Sequence, residues 1–259
     1  MTGGAWTVLG AGSALPKPGF GPSGHLLEHD ALEGATLFDC GPGTIRSLAD
    51  HGVSLATLRR VVLTHFHVDH CLDLAALAFA RRNPAAEACD LEIYAPEGIR
   101  RVLEGIEHAF GRGAVFDRTT LTILEPGSGA TGLELGGARL RWCANGHTGD
   151  SISVALDLRG GLRVGYTGDT GPNPAVASLV HAADLLVCEC SFRDEAAVSG
   201  HLTPSSAAAL AERAGVRRLL LTHFYPMLGA REARELAARA FSGTIETARD
   251  GSRHRLQDS

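Results

Sequence analysis

Short apolar runs rich in Val, Leu and Ile recur along the whole chain, separated by Ala/Leu/Arg stretches whose apolar positions repeat near 3.6 and by Gly and Pro punctuation. Compact apolar runs read as strands and the 3.6 spacing reads as helices laid against them, so their alternation predicts a mixed α/β fold. Strands are expected at 6–9, 25–28, 36–39, 60–64, 91–94, 139–143, 151–156, 162–167, 185–189, 218–222 and 244–248. Helices are expected at 43–51, 70–82, 97–110, 203–214 and 230–240; Thr203-Pro204 supplies an N-cap followed by proline at the first helical position. No linker or low-complexity segment divides the chain, and a single domain over 1–259 is expected.

Unusual polar residues fall repeatedly at the ends of these strands, where a rigid scaffold can hold reactive groups on loops. The run Val61-Val62-Leu63-Thr64-His65-Phe66-His67-Val68-Asp69-His70 reads as a buried strand that delivers three histidines and an aspartate within six residues. Ordinary surface or core roles for four such groups directly after so apolar a strand are improbable. His65 and His67 alternate and can point to one side of an extended segment, whereas Asp69 and His70 begin the next turn, which suggests two adjacent metals. Further ligand candidates follow later strands: His147 in CANGHTGD, Asp169 in GYTGDTGP and His223 in LLLTHFYP. Taken alone, His147 could be a solvated loop residue and Asp169 a turn former. Nitrogen and oxygen ligands without thiolates suit Zn2+, with Mn2+, Fe2+ or cobalt as alternatives, and an open coordination position would leave a water on the metal.

With 259 residues, 44% of them hydrophobic, the chain can bury a sizeable core. A formal charge of -5 gives no global attraction to nucleic acid or anionic membrane, which argues against a dedicated RNA binder. No apolar run is long enough to span a membrane, and the N-terminus lacks a basic segment followed by an apolar one, so a cytoplasmic protein without membrane contact is expected. Six cysteines without a CxxC pair read as free thiols in a reducing compartment.

The motif His65-x-His67-x-Asp69-His70 resembles the HxHxDH hallmark of the metallo-β-lactamase superfamily. That resemblance implies an α/β four-layer αβ/βα sandwich, two mixed β-sheets flanked by helices, with metals at one edge. Carried over, it implies one metal on His65, His67 and His147, a second on Asp69, His70 and His223, and Asp169 bridging the two. The stretches Leu37-Phe38-Asp39-Cys40-Gly41-Pro42-Gly43-Thr44, Tyr166-Thr167-Gly168-Asp169-Thr170, Glu189-Cys190-Ser191-Phe192 and Gly200-His201-Leu202-Thr203 look closest to the ribonuclease Z and phosphodiesterase branch. In that branch a histidine of an HxT motif assists catalysis and a glutamate orients it, which implies these roles for His201 and Glu189. Asp39 resembles the buried carboxylate that supports the metal loop.

The expected chemistry is hydrolysis of a small-molecule or nucleotide phosphodiester. Two divalent metal ions activate a shared water, Asp69 orients it, and His201 gives the leaving alkoxide a proton. Only about twenty residues separate His147 from Asp169. Transfer-RNA-processing members carry a long flexible arm there, so tRNA is doubtful as substrate. A true β-lactamase is disfavoured because the commonest zinc β-lactamases have cysteine where Asp169 stands, and a glyoxalase II type because only about thirty-six residues follow His223. A lactonase, arylsulfatase or other ester hydrolase remains the alternative, as does a catalytically silent metal-binding regulatory module. The helix at 230–240 reads as a solvated face, although a homodimer is possible. Loops 12–24, 83–90 and 111–120 carry no readable recognition code, and 12–24 either borders the pocket or forms a simple hairpin tip.

Overall fold

A computed structural model describes residues 3–111, 116–127 and 132–257. Residues 112–115 of the loop 111–120, and both ends of the expected unit 1–259, lie outside that description.

The first half of the chain runs β1 (Gly3–Gly10), β2 (Gly24–His29), β3 (Ala35–Cys40), α1 (Thr44–Asp50), β4 (Leu58–Val62), α2 (Val68–Cys71), α3 (Asp73–Arg81), β5 (Leu91–Ala95), α4 (Ile99–Phe110) and β6 (Thr119–Ile123). The second runs β7 (Leu133–Leu135), β8 (Ala138–Ala144), β9 (Ile152–Leu158), β10 (Arg163–Tyr166), α5 (Pro174–Leu179), β11 (Leu185–Glu189), α6 (Pro204–Ala214), β12 (Arg218–Thr222), α7 (Ala230–Ala237), β13 (Thr244–Thr247) and β14 (Arg253–Gln257). Among the described residues two seven-stranded sheets form, one in the order β14-β1-β2-β3-β4-β5-β6, to which the last strand returns, and the other in the order β13-β12-β11-β10-β9-β8-β7. Both are mixed in the same way: β14 to β3 pair antiparallel and β3 to β6 parallel, just as β7 to β10 pair antiparallel and β10 to β13 parallel.

The period of two along each strand decides which core a side chain enters. Trp6, Val8, Leu27, Phe38 and Val62 join the large core shared with the second sheet and with α5, α6 and α7. Their neighbours Leu9, Leu26, Leu37, Val61 and Leu63 point the other way, onto a separate core completed by Leu48 of α1, Leu74 and Leu77 of α3, and Ile99 of α4. Helices thus cover the outer faces of two sheets packed face to face, as the family resemblance implied. Thr203 accepts a hydrogen bond from the Ser206 amide in a reciprocal capping box, with Pro204 in the first turn of α6; such a cap contributes about 1 kcal/mol. All six cysteines are free. No helix among the described residues is long and apolar enough to cross a membrane.

The structure corrects several expectations. The helix at 70–82 begins at Val68 and is split at Leu72, which keeps helical dihedrals (φ -66°, ψ -35°). The Ala75 amide reaches back three residues to Leu72 rather than four, a local tightening that separates the turn bearing Asp69 and His70 from α3. Strands β6, β7 and β14 and helix α5 were not expected. Loop 12–24 is no plain hairpin tip, because Gly12 forms a bridge with Phe224 and the Phe20 ring meets Phe224 edge-on.

Candidate metal centre

The strand ends converge at one edge of the two sheets. After β4, Thr64 turns the chain and binds Asp39 through its amide (2.8 Å) and hydroxyl (3.0 Å to Oδ2), which aims the following loop inward. His65 and His67 lie on that loop, and Asp69 and His70 on α2. His147 comes from the β8–β9 loop, Asp169 follows β10, Glu189 ends β11, His201 precedes α6 and His223 follows β12. Two non-glycine residues there hold left-handed backbone, Asp39 at φ 54° and His223 at φ 60°. Such conformations cost of order 1–3 kcal/mol and persist where surroundings fix them. Gly168 also needs a positive φ (55°), and a Cβ there would meet Thr64 Oγ1 at 2.6 Å, so glycine lets the Asp169 loop approach the β4 end.

All seven expected ligands come together in two groups that share Asp169. In the first, His65 Nε2 and His147 Nε2 each stand 3.1 Å from His67 Nδ1, with Asp169 Oδ2 at 3.9 and 3.7 Å from His65 and His147. In the second, His70 Nε2 and His223 Nε2 are 3.1 Å apart, each 3.3 Å from Asp169 Oδ1, and Asp69 Oδ2 lies 3.4 Å from His223. The offered atoms of His65, His67, His147 and Asp169 lie inside 4.8 Å of one another, as do those of Asp69, His70 and His223.

The far side of four rings fixes what faces the centre. His70 Nδ1 donates to Asp39 Oδ2 (2.7 Å) and His147 Nδ1 to the Gly200 carbonyl (2.8 Å). Thr64 gives its hydroxyl proton to Asp39 and Ser191 gives its own to Glu189, so these hydroxyls accept from His65 Nδ1 (3.0 Å) and His223 Nδ1 (3.0 Å). With Nδ1 so engaged, Nε2 is the atom each ring turns to the interior, the orientation metal-binding histidines adopt. Without a metal, burial would lower His70, but Asp169 and Asp39 overcome it and raise the ring well above its ordinary value. Burial, reinforced by the neighbouring His70, pushes His65 well below its ordinary pKa, and burial lowers His147, so both rings take the neutral form a ligand needs. Asp169 Oδ1 is buried without a hydrogen-bond donor. Facing ring nitrogens around an orphaned carboxylate oxygen fit cations, and the cluster is able to bind divalent metal ions.

Beside the ligands, Glu189 is buried and fully engaged. It accepts from the Thr170 amide (2.6 Å), the Leu202 amide (3.0 Å), Ser191 Oγ (2.5 Å) and His201 Nδ1 (3.1 Å), tying together the residues that follow Asp169 and His201. Burial would lower His201, but the Glu189 bond outweighs it and raises the ring above its ordinary value. A cleft of about 560 Å³ opens beside His201, lined by Asn145, Pro172, Asn173, Val198 and Thr203. His201 Nδ1 also lies 3.9 Å from Asp169 Oδ2, close enough to count as a ligand atom, but its bond to Glu189 leaves it committed.

Sequence reasoning did not single out the supports. Tyr166 donates to Asp39 Oδ2, and Ser191 links Glu189 to His223. The Asn145 side-chain amide donates to the backbone carbonyls of Thr167 and Asp169 (3.2 and 2.9 Å). Ser191 and Tyr166 stood inside recognised motifs, but nothing in those motifs named their partners.

This arrangement of fold and ligands is that of a metal-dependent hydrolase. The family described as beta-lactamase superfamily domain matches residues 35–224, an interval that holds every ligand above, and the chain belongs to the metallo-β-lactamase superfamily. Within it the chain is ribonuclease Z-like and phosphodiesterase-like. It is 31% identical to ribonuclease Z of Mycobacterium bovis over 268 residues, covering 94% of this chain and 95% of that protein. It is 32% identical to ribonuclease Z of Streptomyces coelicolor over 290 residues, covering 95% of each. Among solved structures, a metallo-beta-lactamase fold protein from Bacillus subtilis superposes with a TM-score of 0.85 at 24% identity, over 98% of this chain and 100% of that one. The short form of human tRNase Z superposes with a TM-score of 0.78 at 23% identity, over 98% and 99%. These two likenesses speak to the fold alone.

Proposed function

We propose that this chain is a phosphodiesterase with a dinuclear zinc centre, acting on small or nucleotide-type phosphodiesters, and that His65, His67 and His147 hold one ion, Asp69, His70 and His223 the other, and Asp169 both. The observation that carries this reading is Asp169, whose two oxygens face two different histidine groups. When bound, the metal pair neutralises charge on the phosphoryl oxygens and lowers the pKa of water. Asp69, the more exposed of the two site aspartates, orients the attacking water and accepts its proton. His201 keeps Nδ1 on Glu189, whose carboxylate stabilises the imidazolium, and so holds an Nε2 proton for the leaving oxygen. Glu189 is a positioning residue.

The interval from His147 to Asp169 is filled by β9, β10 and the short helical turn Arg159–Gly161 between them. That compact hairpin supports compact diesters rather than tRNA as natural substrates, although the relatives' name points to RNA. We also read the chain as one catalytic unit over 1–259, working in the cytoplasm. Val68, Leu72 and Phe79 are exposed at helical spacing along α2 and α3, which supports a homodimer, testable by sedimentation equilibrium.

The test is hydrolysis of bis(p-nitrophenyl) phosphate by metal-loaded protein beside Asp69→Ala and His201→Ala, with an aryl sulfate, a lactone and precursor tRNA run in parallel. Turnover of the diester that is lost in Asp69→Ala and only partly reduced in His201→Ala, since p-nitrophenolate leaves without a proton, supports the reading. Silence on the diester with turnover of the sulfate or lactone sinks it.

A further inference from the structure

Outside the ligand and proton-transfer sets, one aromatic pair packs against two of the site histidines. Phe192 and Tyr225 stack with centroids 4.6 Å apart and planes inclined by 25°. Both are half-buried. Phe192 meets the His201 ring at 5.3 Å and 69°, and Tyr225 meets His201 at 6.3 Å and 75° and His223 at 6.0 Å and 71°. The pair therefore rises steeply from the ring that serves as proton donor and from a ligand ring.

The backbone holds this wall in place. Phe224 is fully buried against Phe20, and its amide donates to the Ala11 carbonyl (3.0 Å), which fixes the start of the loop carrying Tyr225. Phe192 follows Ser191, itself held by Glu189 and His223, and the Phe192 amide reaches the Leu202 carbonyl (3.4 Å). Each ring limits the motion of the other, so little side-chain freedom remains to be lost when a third ring arrives. With a net charge of -5 the chain has no overall attraction for an anionic substrate, and an apolar π face is a means of recognition that charge does not oppose.

We propose that Phe192 and Tyr225 form a stacking face for a nucleobase carried by the phosphodiester, and that this face selects nucleotide-type over alkyl diesters. The inference rests on the phosphodiesterase reading of the same centre. Stacking tolerates any base, because each has a π face.

The test compares two esters with one leaving group, thymidine 5′-(p-nitrophenyl phosphate) and methyl p-nitrophenyl phosphate, on metal-loaded protein. The ratio of their kcat/KM values is expected to favour the nucleotide ester about ten-fold, to fall toward one in Phe192→Leu and Tyr225→Leu, and to be kept in Tyr225→Phe, which retains the ring. Thymidine monophosphate and ribose 5-phosphate are titrated calorimetrically beside it, with the same preference and the same losses expected. A wild-type ratio near one, or a ratio that both leucine variants keep, overturns the proposal. Absence of turnover on both esters counts against the phosphodiesterase reading, and the calorimetric ratio then decides the stacking face by itself.

Discussion

Tyr166, at the end of β10 in one sheet, donates its phenolic proton to Oδ2 of Asp39, at the end of β3 in the other, at 2.7 Å. Ser23 Oγ stands 3.0 Å from the same phenol and completes the link. The buried Asp39 carboxylate also takes Thr64 and His70, so a bond between the sheets is coupled to the orientation of a ligand.

Tyr166→Phe removes one donor from that carboxylate while keeping the ring in the core. The expected cost is about 1–3 kcal/mol of stability, read by denaturant melts, since a buried acceptor loses a partner. Affinity for the ion on His70 is expected to fall by about ten-fold or more, read by competition with a chelator. Unchanged metal affinity would show that Asp39 does not act through His70.

Metal content separates the two ligand groups. His147→Ala and His223→Ala are each expected to bring the metal per chain down by about one equivalent, whereas Asp169→Ala, lying between both groups, depletes both ions. Plasma mass spectrometry after dialysis reads the count. Chelation of the wild-type protein is expected to lower its melting temperature, because ligand binding to the folded state adds to stability.

His201→Ala is expected to retain its metals and lose about 10²–10⁴-fold in kcat on a diester with an alkoxide leaving group. The loss shrinks with p-nitrophenolate, which leaves without a proton. Equal losses on both esters would remove His201 from the leaving-group side and leave it a structural part of the loop before α6.

Asp157, on β9, is clamped by Arg141 of β8 (2.9 Å) and Arg163 of β10 (2.5 Å). Burial alone would raise its carboxyl, but the Arg163 and Arg141 bonds outweigh burial and hold it below the ordinary carboxylate range. A depressed folded-state pKa contributes stability that is present above about pH 4 and lost as pH falls through the folded value. The melting-temperature gap between wild type and Asp157→Asn is therefore expected to be widest near neutrality and to close under acid.

Much of the centre was legible because its candidate ligands sit in short motifs after apolar strands; the spacing of His65, His67, Asp69 and His70 suggested two adjacent metals, and the family resemblance divided the seven residues between them. The supports were not legible, since Tyr166 to Asp39 crosses from one sheet to the other and Ser191 to His223 joins the ends of the neighbouring strands β11 and β12, pairings made only in the folded chain. Among the elements, β14 (Arg253–Gln257) hid because its sequence RHRLQ is polar, as suits an edge strand paired on one side. β7 has only three residues and β6 (TTLTI) is only half-buried, so neither leaves a strong period of two. Helix α5 is six residues long, too short for a helical period, although Asn173-Pro174 repeats the cap-and-proline signal read at Thr203-Pro204.

Because β14 pairs with β1, residue 7, already beside Leu26 of β2, finds its second partner only at residue 253. The Asp250 carboxylate likewise holds the amides of Ala11 (2.9 Å) and Gly21 (2.8 Å), bracing the loop that packs against Phe224 beside His223. At about 5–20 residues per second, a ribosome needs on the order of ten to fifty seconds between making the two halves of these contacts. For most of that time the His65–His70 run sits on a chain that lacks both the β14 edge strand and the Asp250 brace.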